Sequence, residues 1–172
     1  MRTLDGRDAE YDAIVLAGGR ASRFGGIDKT AIEVDGVRIL DRVLAAVTSA
    51  GQVSVIGPEV TGGPIAAIES ALAAITAPVV VTLAGDQPWI APAVPLLVRA
   101  AGTADVAVLV ADGRRHYLAA AWRTSSLRSA IDALDSPVNA AVRAIFTGLS
   151  VVEVPDLGGW SRDIDSPADL PG

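Results

Sequence analysis

The sequence predicts an α/β sandwich built around a mostly parallel sheet. Short, valine-rich apolar runs alternate with segments whose apolar residues recur at helical spacing. One run, 78–84, is apolar throughout except for Thr82, as a strand covered on both faces should be. Neither an internal repeat nor a linker interrupts residues 12–172, which read as one domain.

The elements follow in order. Residues 1–11, with Arg2, Asp5, Arg7, Asp8 and Glu10, read as a polar, frayed lead-in. Residues 12–17 form a buried strand closed by Gly18 and Gly19. Over 39–50, Leu40, Val43, Leu44 and Val47 fall at helical spacing, with Asp41 and Arg42 turned outward. A second strand covers 53–56, before the breakers Gly57-Pro58 and 61–64. Pro64 suits the first turn of a helix running to about Ile75, where a missing N–H costs nothing. The strand 78–84 then ends in Gly85-Asp86-Gln87-Pro88. A helix is expected over 92–101, a strand over 105–110, a turn at Asp112-Gly113 and a strand over 117–122. Thr124 and Ser136-Pro137 are expected to cap two further helices. A strand over 149–154, a loop at Gly158-Gly159 and a final helical turn opened by Ser166-Pro167 complete the chain.

Composition narrows the function. Twenty acidic against fourteen basic residues give a net charge of −6, which argues against a broad basic face for nucleic acid. Hydrophobic residues make up 51% of the chain, enough for a substantial core. Cysteine is absent, so disulfides, thiolate metal sites and cysteine nucleophiles are excluded together. The apolar runs fall well short of the ~20 residues of a membrane helix. The polar start has no signal-like apolar stretch, and a cytoplasmic protein is expected. Thirteen of the fourteen basic residues are arginine, and the single lysine, Lys29, stands in a glycine-rich loop.

That loop runs from Leu16 and Ala17 through Gly18, Gly19, Arg20, Arg23, Gly25, Gly26 and Asp28 to Lys29. A Walker-type loop needs glycine directly before the lysine, where Asp28 stands. The dinucleotide fingerprint fails as well, because Gly18-Gly19-Arg20 does not supply its glycine spacing. What remains is a strand, two glycine pairs and three cationic side chains. Glycines let backbone N–H groups approach an anion, so the loop is shaped for a polyphosphate.

The segment Leu16-Ala-Gly-Gly-x-Ala-Ser-Arg-Phe-Gly-x-x-Asp-Lys29 resembles the signature loop of nucleotidyltransferases related to molybdenum cofactor guanylyltransferase. Two further segments fall in the same order along 12–171. Leu83-Ala-Gly-Asp86-Gln-Pro88 is similar to the family's Cys-Asp-x-Pro segment, with Ala84 in the cysteine position. Asp163-Ile-Asp165-Ser-Pro-Ala-Asp-Leu170 resembles its closing Asn-x-Asn-Thr-Pro-Glu-Asp-Leu motif. The resemblance implies a three-layer, Rossmann-like fold of the nucleotide-diphospho-sugar transferase type. It implies that Leu16, Ala17, Gly18, Gly19, Arg20 and Lys29 wrap a nucleoside triphosphate, with Arg23 and Lys29 neutralising its phosphates. It also implies that Asp86 and Asp163 bind Mg2+. A hard cation that takes oxygen ligands and keeps several waters needs only one or two carboxylates plus phosphates. Taken alone, Asp86 reads equally as a cap of the following helix. Asp165 is assigned to the turn, with metal contact as the alternative.

Two looser matches complete the site. Gly62-Gly63-Pro64-Ile-Ala-Ala67 resembles the Gly-Pro-Leu-Ala-Gly segment that closes over base and ribose, which assigns Gly63 and Pro64 to nucleotide binding. The stretch before it is shorter than in relatives, Glu59 is the only nearby carboxylate, and Ala67 replaces the final glycine. The segment Asp112-Gly-Arg-Arg-His-Tyr-Leu resembles the family's acceptor-facing region, which assigns Arg114, Arg115 and His116 to the acceptor.

The resemblance implies a Mg2+-dependent enzyme that transfers GMP from GTP to molybdenum-bearing molybdopterin and releases pyrophosphate. Transient contact with cofactor-synthesis proteins or molybdoenzymes goes with that activity. Three alternatives stand beside it: CTP as donor to the same cofactor, a sugar or polyol phosphate as acceptor, and a catalytically silent nucleotide-binding protein.

Overall fold

Residues 11–16 are apolar apart from Asp12, and they form the fully buried strand β1 (Tyr11–Leu16). The computed structural model describes residues 11–18, 23–24, 27–28 and 32–164; the lead-in 1–10 and the turn at Ser166-Pro167 lie outside them. Two short antiparallel hairpins follow, β2 (Arg23–Phe24) with β3 (Ile27–Asp28) and β4 (Glu33–Val34) with β5 (Val37–Arg38). Helix α1 (Ile39–Ala45) stops five residues short of the expected end at 50. There Val47 N–H donates to Leu44 and Ala50 N–H to Val47, so the helix tightens into turns.

Next come β6 (Val53–Ile56), α2 (Gly63–Leu72) and β7 (Val79–Ala84). A 3-10 turn (Ala91–Ala93) leads into α3 (Val94–Ala101). The hairpin of β8 (Val106–Ala111) and β9 (Arg114–Arg123) turns at Asp112 and Gly113, whose φ values of 50° and 72° fit a tight hairpin. Helix α4 (Thr124–Asp132), a 3-10 segment (Val142–Phe146) and β10 (Val151–Pro155) finish the fold.

The main sheet has the order β10-β8-β9-β7-β1-β6. Only β9 runs antiparallel to its neighbours within it. Alternation along β1 sends Ala13 and Val15 into one core, with Val43, Val94 and Leu97, and Ile14 and Leu16 into the other, with Ile65, Ile68 and Leu127. The result is the expected three-layer α/β arrangement. Thr82, the polar residue of β7, is satisfied inside it: its hydroxyl accepts from Trp122 Nε1 at 3.1 Å. No described helix is long and apolar enough to cross a membrane.

Two capping expectations are corrected. Thr124 is the first residue of α4, and its hydroxyl donates to Ala77 O at 2.7 Å, tying the helix start to the loop that leads into β7. Ser136 opens no α-helix: its hydroxyl accepts from Val138 N at 3.2 Å in a local turn, and the 3-10 segment begins only at Val142.

Asp12 explains the polar start of β1. Its buried carboxylate accepts from the N–H groups of Gln52, Thr76 and Ala77 at 2.7–2.9 Å, joining the loops that lead into β6 and β7 at the edge opposite the site.

Candidate active site

From β1 the chain crosses one way to β6 and then back past β1 to β7, so strand order reverses between β1 and β7. Ligands of open parallel sheets bind in the crevice at such a reversal, beyond the carboxyl ends of the strands. Here those ends are Leu16–Gly18 and Ala84–Asp86. The first approach requires glycine and the second leaves little room for a side chain. A Cβ on Gly18 would lie 2.5 Å from Gly57 C and Pro58 N, and one on Gly85 would lie 3.0 Å from Leu16 O. Gly85 N–H donates to Leu16 O at 2.8 Å, locking the two strand ends together.

Helix α2 starts at the same rim. Gly62 and Gly63 enter it at φ 100° and 87°, in the left-handed region that favours glycine, and Pro64 occupies its first turn. Glu59, the nearby carboxylate, accepts from Gly57 N at 3.1 Å and so is engaged within its own turn. Of the glycine-rich loop, Gly19, Arg20 and Lys29 lie outside the described residues, as does the side chain of Arg23.

Asp86 is half-buried just past β7, and Asp163 is exposed, 77 positions later. Both line one open cavity of about 530 Å³, together with Gln87, His116, Tyr117 and Arg143. Three contacts hold Asp163 there. Ile164 N–H donates to Asp86 O at 3.3 Å. The Ile164 side chain is fully buried with Val34 and Ile39, against Trp89. One turn earlier, Asp156 accepts from the N–H groups of Gly158, Trp160 and Ser161 and from Ser161 Oγ at 2.6–3.1 Å. Burial pushes the Asp156 carboxyl up, but these hydrogen bonds outweigh it and bring it down to about 2. Gln87 Nε2 donates to Ser161 O at 3.1 Å, while Gln87 Oε1 is buried with no hydrogen-bond partner among the described residues.

The expected acceptor residues separate. His116 lines the cavity. Arg115 instead points across β8, where its Nε meets Glu153 at 2.7 Å. Arg114 is exposed at the start of β9 and does not line the cavity. Strand alternation accounts for Arg115, since adjacent side chains leave opposite faces.

Sequence reasoning missed Arg143 and Asp156, and placed Tyr117 and Gln87 in motifs without giving either a role. Asp156 had a readable signal, an aspartate before Gly158-Gly159 with Ser161 beyond, the composition of a side-chain-bonded turn. Arg143 had none, because no periodicity marks 136–147.

Among the described residues no three metal-ligating side chains cluster. Two carboxylates on one cavity still fit a hard divalent cation that takes its remaining ligands from phosphates and water.

A glycine-lined crevice at the strand-order reversal, beside paired carboxylates, is suited to a polyphosphate with a divalent cation, and the chain is a nucleotidyltransferase. Residues 13–61 and 54–152 match the MobA-like NTP transferase domain, and the chain belongs to that family. No match was found among curated protein sequences. Solved structures share the fold. Molybdopterin-guanine dinucleotide biosynthesis protein A from Archaeoglobus fulgidus has 22% identity and a TM-score of 0.68, covering 92% of this chain and 94% of its own. The 2-C-methyl-D-erythritol 4-phosphate cytidylyltransferase of Thermus thermophilus has 20% identity and a TM-score of 0.69, covering 94% and 95%. A nucleotidyl transferase from Methanothermobacter has 20% identity and a TM-score of 0.72, covering 94% of each chain.

Proposed function

We propose that this chain transfers GMP from GTP to molybdenum-bearing molybdopterin, releasing pyrophosphate, with Mg2+ as the metal. The observation that carries the reading is that Asp86 and Asp163 face one cavity beside the Gly18 crevice. An acceptor phosphate oxygen attacks the α-phosphorus, the bond from that phosphorus to the β-phosphate bridging oxygen breaks, and pyrophosphate leaves. No covalent enzyme intermediate is needed, so positioning and charge neutralisation carry the catalysis.

The chain's residues divide this work. Leu16, Ala17 and the N–H groups of Gly18 and Gly19 cradle the phosphates. Arg20, Arg23 and Lys29 neutralise them, and this local positive charge offsets the net −6 of the molecule. Gly63 and Pro64, at the start of α2, approach base and ribose. Asp86 and Asp163 hold Mg2+, which when bound withdraws charge from the phosphoryl oxygens. His116 faces the acceptor. A cytoplasmic location and contact with proteins that make or receive the cofactor follow from this reading.

A second reading, CMP transfer from CTP, is favoured by one observation. Glu59 turns one carboxylate oxygen, Oε1, back to Gly57 N–H, which competes with a two-point contact to the N–H groups of a guanine edge. The Thermus thermophilus protein of similar fold is named as a cytidylyltransferase.

The test is pyrophosphate release with each of the four nucleoside triphosphates and Mg2+, with and without molybdopterin. Turnover with GTP only when molybdopterin is present is expected. Turnover with CTP alone among the four establishes the second reading, and nucleotide binding without release under every condition overturns both.

A further inference from the structure

The antiparallel strand β9 breaks its register at the cavity. Val108 pairs with Ala120, but the next residue, Leu109, pairs with His116, leaving residues 117, 118 and 119 without partners on β8. A bulge re-aims side chains, and bulges concentrate beside active sites. This one turns Tyr117 and Leu118 into the cavity wall next to His116.

The wall is completed by the 3-10 segment Val142–Phe146. Its far end is fixed: Ile145 and Phe146 are buried, and the Phe146 ring meets Trp122 edge-on at 4.6 Å and Tyr117 at 4.9 Å. Arg143, on the same segment, is exposed and lines the cavity. Four other arginines are committed elsewhere: Arg38 to Asp41, Arg42 to Asp35, Arg115 to Glu153 and Arg128 to the carbonyls of Leu72 and Ile75. Arg143 has no ion pair among the described residues.

The cavity therefore has two different walls. One carries Asp86 and Asp163, and the other carries Arg143 beside the apolar faces of Tyr117 and Leu118. Carboxylates do not themselves attract an anionic acceptor. A guanidinium that is not neutralised locally, on a backbone anchored by buried neighbours, offers the planar donor fork that matches a phosphate.

Resting on the nucleotidyl-transfer reading, we infer that Arg143 is the residue that selects the acceptor, binding the phosphomonoester of a substrate whose apolar body lies on Tyr117 and Leu118. Arg114 and Arg115, the arginines that sequence similarity points to, do not line this cavity.

The test separates this assignment from that reading. Phenyl phosphate and phenol are titrated calorimetrically into the wild type, Arg143→Gln, Arg143→Lys and the exposed helix variant Arg99→Gln, and GTP with Mg2+ is titrated in parallel. Expected is wild-type binding of phenyl phosphate but not phenol. Affinity should fall about 10- to 100-fold in Arg143→Gln, as for loss of a charge-assisted hydrogen bond. Partial recovery is expected in Arg143→Lys, no change in Arg99→Gln, and GTP affinity within about twofold in all. Equal phenyl phosphate affinity in Arg143→Gln overturns the assignment, as does a parallel loss of GTP affinity or absence of wild-type binding. If the Arg143 effect holds while the wild type releases no pyrophosphate with any substrate pair tried, Arg143 stands as a phosphomonoester-binding residue and the proposed donor–acceptor pair fails.

Discussion

Ser161 Oγ donates to the Asp156 carboxylate at 2.6 Å, and the carbonyl of the same serine accepts from Gln87 Nε2 at 3.1 Å. The chain from Asp156 through Ser161 to Gln87 links the end of β10 to the loop bearing Asp86. Asp163 follows two residues after Ser161. Its place at the cavity thus depends on a carboxylate that itself lies outside the cavity lining.

A pH dependence follows. The Asp156 carboxyl lies at about 2 in the folded protein against an ordinary 3.8. A lowered folded value contributes stability that is full above the ordinary value and is lost as pH falls from 3.8 through about 2. Asp105, held at about 2 by Ser150 and Ser126, contributes over the same window. Near neutral pH, Asp156→Asn should be less stable than the wild type by about 1–3 kcal/mol, as expected for broken hydrogen bonds to a charged group. In urea unfolding the gap should narrow as the pH approaches 2. A constant gap from neutral pH down would contradict the assignment.

Gly18→Ala should weaken nucleotide binding more than it lowers stability. The added methyl meets backbone atoms of Gly57 and Pro58 at 2.5 Å, which no rotamer change relieves. Overpacking of this kind costs about 1–3 kcal/mol. The part that must give way is the loop that approaches the ligand. Gly85→Ala, whose nearest atom is at 3.0 Å, should show a smaller effect in the same GTP titration.

Phe146 joins the core to the Arg143 segment. Phe146→Ala removes both edge-on ring contacts and should lower stability by about 3–5 kcal/mol, read as a fall in Tm. Phe146→Leu, which keeps most of the volume, should retain most of it. Equal losses in the two variants would mean that ring geometry, not filled space, fixes the segment.

Lys29→Ala should abolish turnover with an unchanged circular dichroism spectrum, since the lysine follows from loop chemistry and not from core packing. Wild-type rates in that variant would remove Lys29 from the mechanism.

The sheet and its helices were readable because strands buried on both faces are spelled in valine, alanine and leucine, and Gly and Pro mark their ends. The β8–β9 hairpin was readable at Asp112-Gly113, whose positive φ both residues accept. The bulge at Tyr117–Ala119 was not, because a register break depends on the partner strand and leaves no trace in local alternation. The helix expected after Ser136-Pro137 failed for a related reason: serine bonds its own turn as readily as it caps a helix, and the segment is held by Ile145 and Phe146 in the core. Asp86 and Asp163 were legible as residues. Their meeting at one cavity was legible only through the family resemblance and not from local pattern, since it depends on burial of Ile164 and on the Asp156 turn.

The central claim is that these two carboxylates jointly hold the metal on the triphosphate. The direct measurement is a Mg2+ titration of pyrophosphate release in the wild type, Asp86→Asn and Asp163→Asn. Both variants should need about tenfold more Mg2+ or greater for half-maximal rate, a loss of ~1.4 kcal/mol or more in metal binding, and both should turn over more slowly. Superimposable titrations for the wild type and either variant would contradict the claim.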